Sequence, residues 1–452
     1  MTAQASYDTV VVGAGLAGMF AGALAARRGA RTLVIAQGVG GTHVGPGTID
    51  VWGYEPHPPT PSPDGPSTTL RSAQGARRER GGLATHPQAE LEKLDAPQHP
   101  LTLAGLPALR EALTEFQNIC EAAGYPLAGT LDRNFFLPTA LGAIRPACLA
   151  PESFIAGDVR QPGDLALARL PGFRDFFADL AAANLTAAGY PACVVALDLP
   201  HAPTRRDSPG GATDLARLFD DGNYRAEVAN HWRDALKGVA RLGLPAILGL
   251  ESAAAARRDL SDKLGMELFE IPILPPSVPG MRLFNILREA IHEAGGRVTI
   301  GPRVTGWVDA NAGHVNGVIA ETAGGPRRYA ARSIILATGG FRHGGLDAPA
   351  KGRVKEPVFD LPVSTGESWF APLYWDAHPY TRFGVRVNAE GMQPLSANGK
   401  VLFPNLFAIG GLLAGADRNG EGSREGIDLA TAWVAVGQIP TSKSQTPTQT
   451  DV

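Results

Sequence analysis

Thr9-Val10-Val11-Val12-Gly13-Ala14-Gly15-Leu16-Ala17-Gly18 is the stretch whose reading decides the fold. Residues 8–12 are short, β-branched and without polar alternation, the pattern of a parallel strand buried on both faces. Gly13 permits a tight turn, Gly15 lets backbone approach a pyrophosphate with no Cβ between them, and Gly18 lets the next helix lie close to the strand. That helix is predicted from Leu16 to about Arg28, with Ala17, Ala21, Gly22 and Ala25 offering small side chains for helix–sheet packing. Gly29 stops it, and Arg31-Thr32-Leu33-Val34-Ile35 reads as a second parallel strand. The result is a βαβ unit whose turn, Gly13-Ala14-Gly15-Leu16-Ala17-Gly18, is a candidate nucleotide-phosphate cradle at a helix N-terminus.

A dinucleotide site usually carries Asp or Glu after the second strand, to accept from ribose hydroxyls. This chain reads Ile35-Ala36-Gln37 there. Gln37 offers a neutral partner only, so two readings stay open: a cofactor lacking the adenosine half, or a dinucleotide held elsewhere.

The far end of the chain repeats the device. Asn405-Leu406-Phe407-Ala408-Ile409-Gly410-Gly411 is an apolar run ending in glycines, followed by a second glycine-rich stretch and an amphipathic helix predicted over Ile427–Val436. Between the ends, Ser333-Ile334-Ile335-Leu336-Ala337-Thr338-Gly339-Gly340 is a third buried strand stopping at paired glycines. It follows a helix (Met281–Ala294), a strand (Arg297–Ile300) and a meander (Val304–Val308, Gly313–Ala320, Arg328–Ala330). This order predicts the α/β class: a Rossmann-like two-dinucleotide-binding-domain flavoprotein with a β-meander.

Size and composition allow two or three domains in 452 residues, with 19% charged and a net charge of −3, which gives no reason to expect nucleic acid as a partner. No apolar run reaches the length of a membrane span, and no basic leader precedes the first strand, so a cytoplasmic protein is expected. Cys120, Cys148 and Cys193 are dispersed and form no CxxC, which predicts buried thiols and no metal or iron–sulfur site.

Organisation along the chain follows from the same signals. Residues 1–54 form the first part of the flavin-binding domain. Residues 55–100 hold Pro56, Pro58, Pro59, Pro61, Pro63, Pro66 and the basic run Arg77-Arg78-Glu79-Arg80, and are expected to form a flexible surface excursion. Between 101 and 272, helical segments (Leu106–Ala123, Gly172–Ala188, Tyr224–Arg241, Ser252–Leu264) alternate with strands that include Cys193–Leu199, Pro245–Leu250 and Glu267–Ile271. This alternation predicts an inserted α/β cap domain. The flavin-binding domain resumes over 273–439, and the polar tail 440–452 is expected to be disordered.

On the segments Val10–Gly18, Gly45-Pro46-Gly47-Thr48-Ile49-Asp50, Leu274-Pro275-Pro276-Ser277-Val278-Pro279-Gly280-Met281-Arg282, Ile335–Gly345, Glu356-Pro357, Phe383-Gly384-Val385 and Asn405–Gly426, the chain resembles the B subunit of anaerobic glycerol-3-phosphate dehydrogenase. More distantly it is similar to the fumarate reductase and succinate dehydrogenase flavoproteins. The resemblance implies oxidation of sn-glycerol 3-phosphate to dihydroxyacetone phosphate, with electrons passed to a membrane quinone through partners, the A and C subunits of the same enzyme. It implies a flavin, FMN by family usage with FAD the alternative, and contact with the membrane only through a partner. Two departures stand out: the long excursion, and the charged run Gly420-Glu421-Gly422-Ser423-Arg424-Glu425-Gly426 where a glycine-dense one is expected. A stand-alone dehydrogenase of another small acid, an electron relay and a purely structural assembly factor remain open readings.

The resemblance also implies site residues. Gly13, Gly15 and Gly18, Gln37, Gly45, Gly47, Thr48, Thr338, Gly339, Gly340, Gly410, Gly411, Asp417, Gly426 and Ile427 are expected around the flavin, with the helix after Gly426 aiming its positive end at the ring. Alcohol oxidation needs a base for the hydroxyl proton, for which His43 and then His343 are candidates. Arg282 is a candidate partner for a substrate anion.

Overall fold

Three parallel strands end level with one another in the computed structural model, which describes residues 6–55, 82–200, 210–308, 313–350, 353–372, 374 and 376–440. They are β1 (Ser6–Val12), the strand Gly325–Leu336 and the strand Leu406–Ala408; Val12 pairs with Leu336, and Leu336 with Ala408. The flanking β2 (Thr32–Ala36) pairs with β1 on its other side and with Arg297–Ile300 beyond. Helix α1 (Leu16–Arg27) joins β1 to β2, as the βαβ reading predicts. The meander Arg303–Trp307, Gly317–Thr322 and the first half of Gly325–Leu336 continues the sheet antiparallel.

The chain divides into two compact units. The first, residues 1–41, 93–119 and 284–452, contains this seven-stranded sheet. Helix α1 is buried along nearly its whole length because Gly22 and its alanines let it lie on the sheet; a Cβ at Gly22 would come within 3.2 Å of Ile291. Phe20 meets Phe116 edge-on, with ring centroids 5.7 Å apart. The helix Leu106–Ala122 therefore belongs for most of its length to this unit rather than to the cap, where the sequence pattern puts it.

The second unit, residues 42–92 and 120–283, carries a four-stranded parallel sheet ordered Glu267–Ile271, Arg241–Pro245, Leu165–Arg169, Ala192–Ala196. Its core is largely Leu and Ala around the buried rings of Trp232, Phe219 and Phe269. The strand Leu165–Arg169 is not among those the sequence predicts; its Leu/Ala alternation is short and sits between Pro-Gly and Pro-Gly turns. The helix expected over Tyr224–Arg241 stops at Trp232, and Arg241–Pro245 is a strand.

Residues 82–100, expected inside the flexible excursion, are ordered. Ala84 is buried, the amide of Asn134 donates to the carbonyls of Ala84 and Trp52, both at 2.8 Å, and Pro87–Glu92 is helical. The proline-rich part, 56–81, and the tail beyond Pro440 lie outside the described residues. Cys120 and Cys148 are buried, whereas Cys193 is exposed, because the edge strand Ala192–Ala196 turns one face outward.

Candidate flavin site

Register explains where the site lies. With Val12, Leu336 and Ala408 level, the glycine turns after all three strands emerge at one edge of the sheet, where β1 separates connections running in opposite directions. Crevices at such switch points are where open α/β sheets hold ligands. The first and last parts of the sequence therefore meet. Gly410, at φ +65°, is packed so tightly that a Cβ there would come within 2.8 Å of the Ala17 Cβ and 2.7 Å of Asp428 Oδ1. A Cβ on Gly340 would come within 3.0 Å of the Gly411 carbonyl.

The three glycines of the first turn are not equivalent. A Cβ at Gly13 would collide with the Ala337 carbonyl, and one at Gly18 with the Gly13 carbonyl. A Cβ at Gly15 would meet no protein atom within 4 Å, and Gly15 has ordinary extended backbone (φ −76°, ψ −179°). So Gly13 and Gly18 are required by the protein's own packing, while Gly15 faces open space. Gly15 is also the N-cap of α1 and supplies no side-chain cap, and the first turn has no acidic residue. First-turn N–H groups of a helix lack intrahelical acceptors and carry the positive end of the dipole. This cradle fits an anionic phosphate. Ala14 is buried beneath it, Gly40 packs against Ala14 and Gly15, and Gln37 is exposed just past β2.

Polar atoms around the other two turns fit a hydrogen-bonding ligand as well. Thr338 Oγ1 and Arg418 Nε are buried without protein partners. Arg418 lies against Gly411 and is held by the Arg424 carbonyl (2.7 Å) and by Asp428 (2.5 Å). Burial pushes the Asp428 carboxyl up to about 6, with Arg418 opposing it. His343 follows the Gly339-Gly340 turn, and its ring is 3.1 Å from where a Gly41 Cβ would stand. Burial, Arg418 and Arg342 all hold His343 below the ordinary histidine range, so its imidazole is neutral at pH 7.

The charged run of the last motif is tied up internally. Glu421 accepts from the Asp417 N–H (2.9 Å) and pairs with buried His99 (3.1 Å); Asp417 accepts from the Gly420 N–H (3.2 Å). Burial raises the Asp417 carboxyl and the Gly420 bond opposes it. The Asp417 side chain therefore closes its own turn. Gly426 and Ile427 are buried in the first turn of the helix Arg424–Gly437, where the Ile427 N–H is already bonded to Ser423.

Other expected residues lie in the second unit. Thr48 is buried, accepting from Arg145 Nε at 3.2 Å beside the Arg145–Asp50 ion pair. Gly45 accepts from Ser277 Oγ, and Gly47, at φ +83°, packs on Pro279. His43 sits in the turn Gly41–Val44. Arg282 is 2% exposed and four of its five N–H donors are engaged: Nη1 and Nη2 reach the Glu270 carboxylate at 2.8 and 3.0 Å, and Nε and Nη2 reach the Gly249 carbonyl at 2.8 and 2.5 Å. Burial would lower its pKa, but Glu270 and Tyr125 outweigh burial and raise it. This geometry makes Arg282 a cross-link in the core, its charge already paired with Glu270 and out of reach of solvent. Arg418 and Asp428 escape the sequence reading. Their only signal is two charges flanking a glycine-rich turn otherwise expected to be small. Among the described residues no group of His, Cys, Asp and Glu could hold a metal, and no helix is long and apolar enough to cross a membrane.

A family profile described as FAD binding domain matches residues 8–426. A probable B subunit of anaerobic glycerol-3-phosphate dehydrogenase from Halobacterium salinarum is 32% identical over 441 residues, covering 95% of this chain and 96% of its own. The B subunit of the same enzyme from Pectobacterium atrosepticum is 29% identical (96% and 98% covered), and that from Pasteurella multocida 27% (96% and 99%). Among solved structures, 3-ketosteroid delta1-dehydrogenase from Sterolibacterium denitrificans gives a TM-score of 0.43 at 11% identity, covering 96% of this chain and 99% of that one. A flavocytochrome c3 fumarate reductase gives 0.40 at 11%, covering 96% and 78%.

Proposed function

Since the chain belongs to the FAD-binding family and to that of the B subunit of anaerobic glycerol-3-phosphate dehydrogenase, we propose that it oxidises sn-glycerol 3-phosphate to dihydroxyacetone phosphate as a flavin-bearing member of a heteromeric complex. The observation that carries this reading is the open phosphate cradle at Gly15, in a chain matched almost end to end by relatives of that name. The A and C subunits of the enzyme would be its partners, passing electrons on to a membrane quinone.

FAD is the better-supported flavin, ahead of the FMN expected from resemblance, because the whole βαβ fingerprint and the exposed end of β2 at Gln37 are available to a dinucleotide. When bound, the flavin supplies the acceptor for the hydride leaving the alcohol carbon. The chain's own residues do the rest. The N–H groups at the start of α1 hold phosphate. Arg418, fixed by Asp428, places a cation beside Gly411. Thr338 Oγ1 offers a hydrogen bond in the same neighbourhood. Neutral His343 takes the hydroxyl proton, a role its depressed pKa permits across the neutral range.

Anaerobic titration of the purified chain with sn-glycerol 3-phosphate tests the reading. Bleaching of the flavin band by the chain alone is the expected result; bleaching only after addition of a homologue of the A subunit would favour an electron relay. His343→Gln should keep its flavin and lower kcat/KM by about 100- to 10,000-fold, the usual worth of a general base. An unchanged kcat/KM would remove His343 from the mechanism.

A further inference from the structure

Trp369, Phe370 and Tyr374 expose aromatic surface out of proportion to the other described residues of the first unit. Phe370 is 65% and Tyr374 79% exposed, with Trp369 at 37%. Exposed aromatic groups of this size mark contact surfaces. The rings of Trp369 and Phe370 are also held in place. The ring of Phe370 lies 5.7 Å from His378 and 5.8 Å from Tyr380. His378 stacks on Tyr380 at 5.9 Å and is bonded through both ring nitrogens, Nδ1 accepting from the Ala371 N–H and Nε2 donating to the Tyr374 carbonyl, each at 3.0 Å. Anchors already fixed in their bound shape lose little entropy on binding.

The cluster runs inward to the candidate flavin site. Trp369 and Tyr380 lie 5.8 and 6.4 Å from Phe341, and Phe341 is the residue after the Gly339-Gly340 turn. What covers this surface can be argued from charge. Residues 366–381 contain Glu367 and Asp376 and no lysine or arginine; of the acids just before them, Glu356 is buried and Asp360 is paired with Arg353. Glu367 and Asp376 are exposed at the patch, and of the bases at its margins Arg382 is paired with Glu421 at 3.7 Å. An anionic lipid surface attracts basic segments and repels such a rim. A protein surface with an apolar pocket rimmed by Lys and Arg is complementary to it.

We propose that Trp369, Phe370 and Tyr374, with the acidic rim of Glu367 and Asp376, form the docking surface for a protein partner that carries its own redox centre, seated one aromatic layer from the Gly339-Gly340 turn. The redox part of this inference rests on the flavin reading above; the docking part does not.

The test uses the full-length chain and separately purified homologues of the A and C subunits from the same organism, with association followed by interferometry and sedimentation. Phe370→Ser/Tyr374→Ser should weaken binding to one of the two by at least about tenfold, the scale of an aromatic anchor. Its flavin content and melting temperature should match wild type. Glu367→Lys/Asp376→Lys should weaken the same complex and flatten its salt dependence. Wild-type affinity in both variants would overturn the proposal. So would a defect confined to self-association, or one confined to vesicles of phosphatidylglycerol and phosphatidylethanolamine. Flavin content measured on the same preparations separates the failures: a colourless wild type whose binding depends on Phe370 and Tyr374 contradicts the redox reading, and a flavin-loaded chain whose binding ignores them contradicts the docking surface.

Discussion

Gly15 carries most of the functional argument at the scale of single residues. Its neighbours Gly13 and Gly18 serve the fold, since a Cβ at either meets backbone; Gly15 serves only whatever occupies the space before α1. Gly15→Val should therefore fold, with circular dichroism and melting of the apoprotein unchanged, and should retain no flavin. Retention of flavin in that variant would place the phosphate elsewhere. Asp428 gives a second prediction. Its carboxyl is raised from 3.8 to about 6, chiefly by burial. A raised pKa means the native state binds a proton that the unfolded state has released, so this group's stabilisation is complete below about 3.8 and is lost as pH rises through about 6. Two units correspond to about 3 kcal/mol. The stability difference between Asp428→Asn and wild type should thus shift in the variant's favour by about 3 kcal/mol from pH 4 to pH 7 in denaturant titrations. Parallel pH profiles would show that Asp428 is ionised throughout.

At the scale of elements, the buried pair Arg282–Glu270 joins the N-terminal part of the helix Val278–Glu293 to the strand Glu267–Ile271. Removing one partner strands a charge in the core, at a cost of about 3–5 kcal/mol. Arg282→Met should lose about that much in denaturant titrations while leaving KM for sn-glycerol 3-phosphate unchanged. A raised KM without loss of stability would return Arg282 to the substrate site. The contrast with the sequence reading is instructive. The βαβ unit, the meander and the strand ending at Leu336 are legible because periodicity and glycine turns are local signals. The direction of Arg282 is not, because its partners at 249 and 270 are set by tertiary packing. For the same reason the strand Leu165–Arg169 escapes notice, and Arg418 and Asp428 stay hidden in a run that looks merely charged.

Across the whole molecule, the account depends on the first and last parts of the chain converging at one sheet edge. Sequence order alone suggests this. The level register of Val12, Leu336 and Ala408, and the packing of Gly410 against Ala17, give it geometry. Unit boundaries are less legible than elements: the helix Leu106–Ala122 is amphipathic either way, and its contacts with Phe20, Arg27 and Trp433 show which core it joins.

The most direct measurement of the central claim is the absorption spectrum of the purified chain, followed by the mass and stoichiometry of the cofactor released on denaturation. The account predicts a yellow protein carrying one FAD per chain. A folded, colourless chain that takes up neither FAD nor FMN when supplied would contradict it.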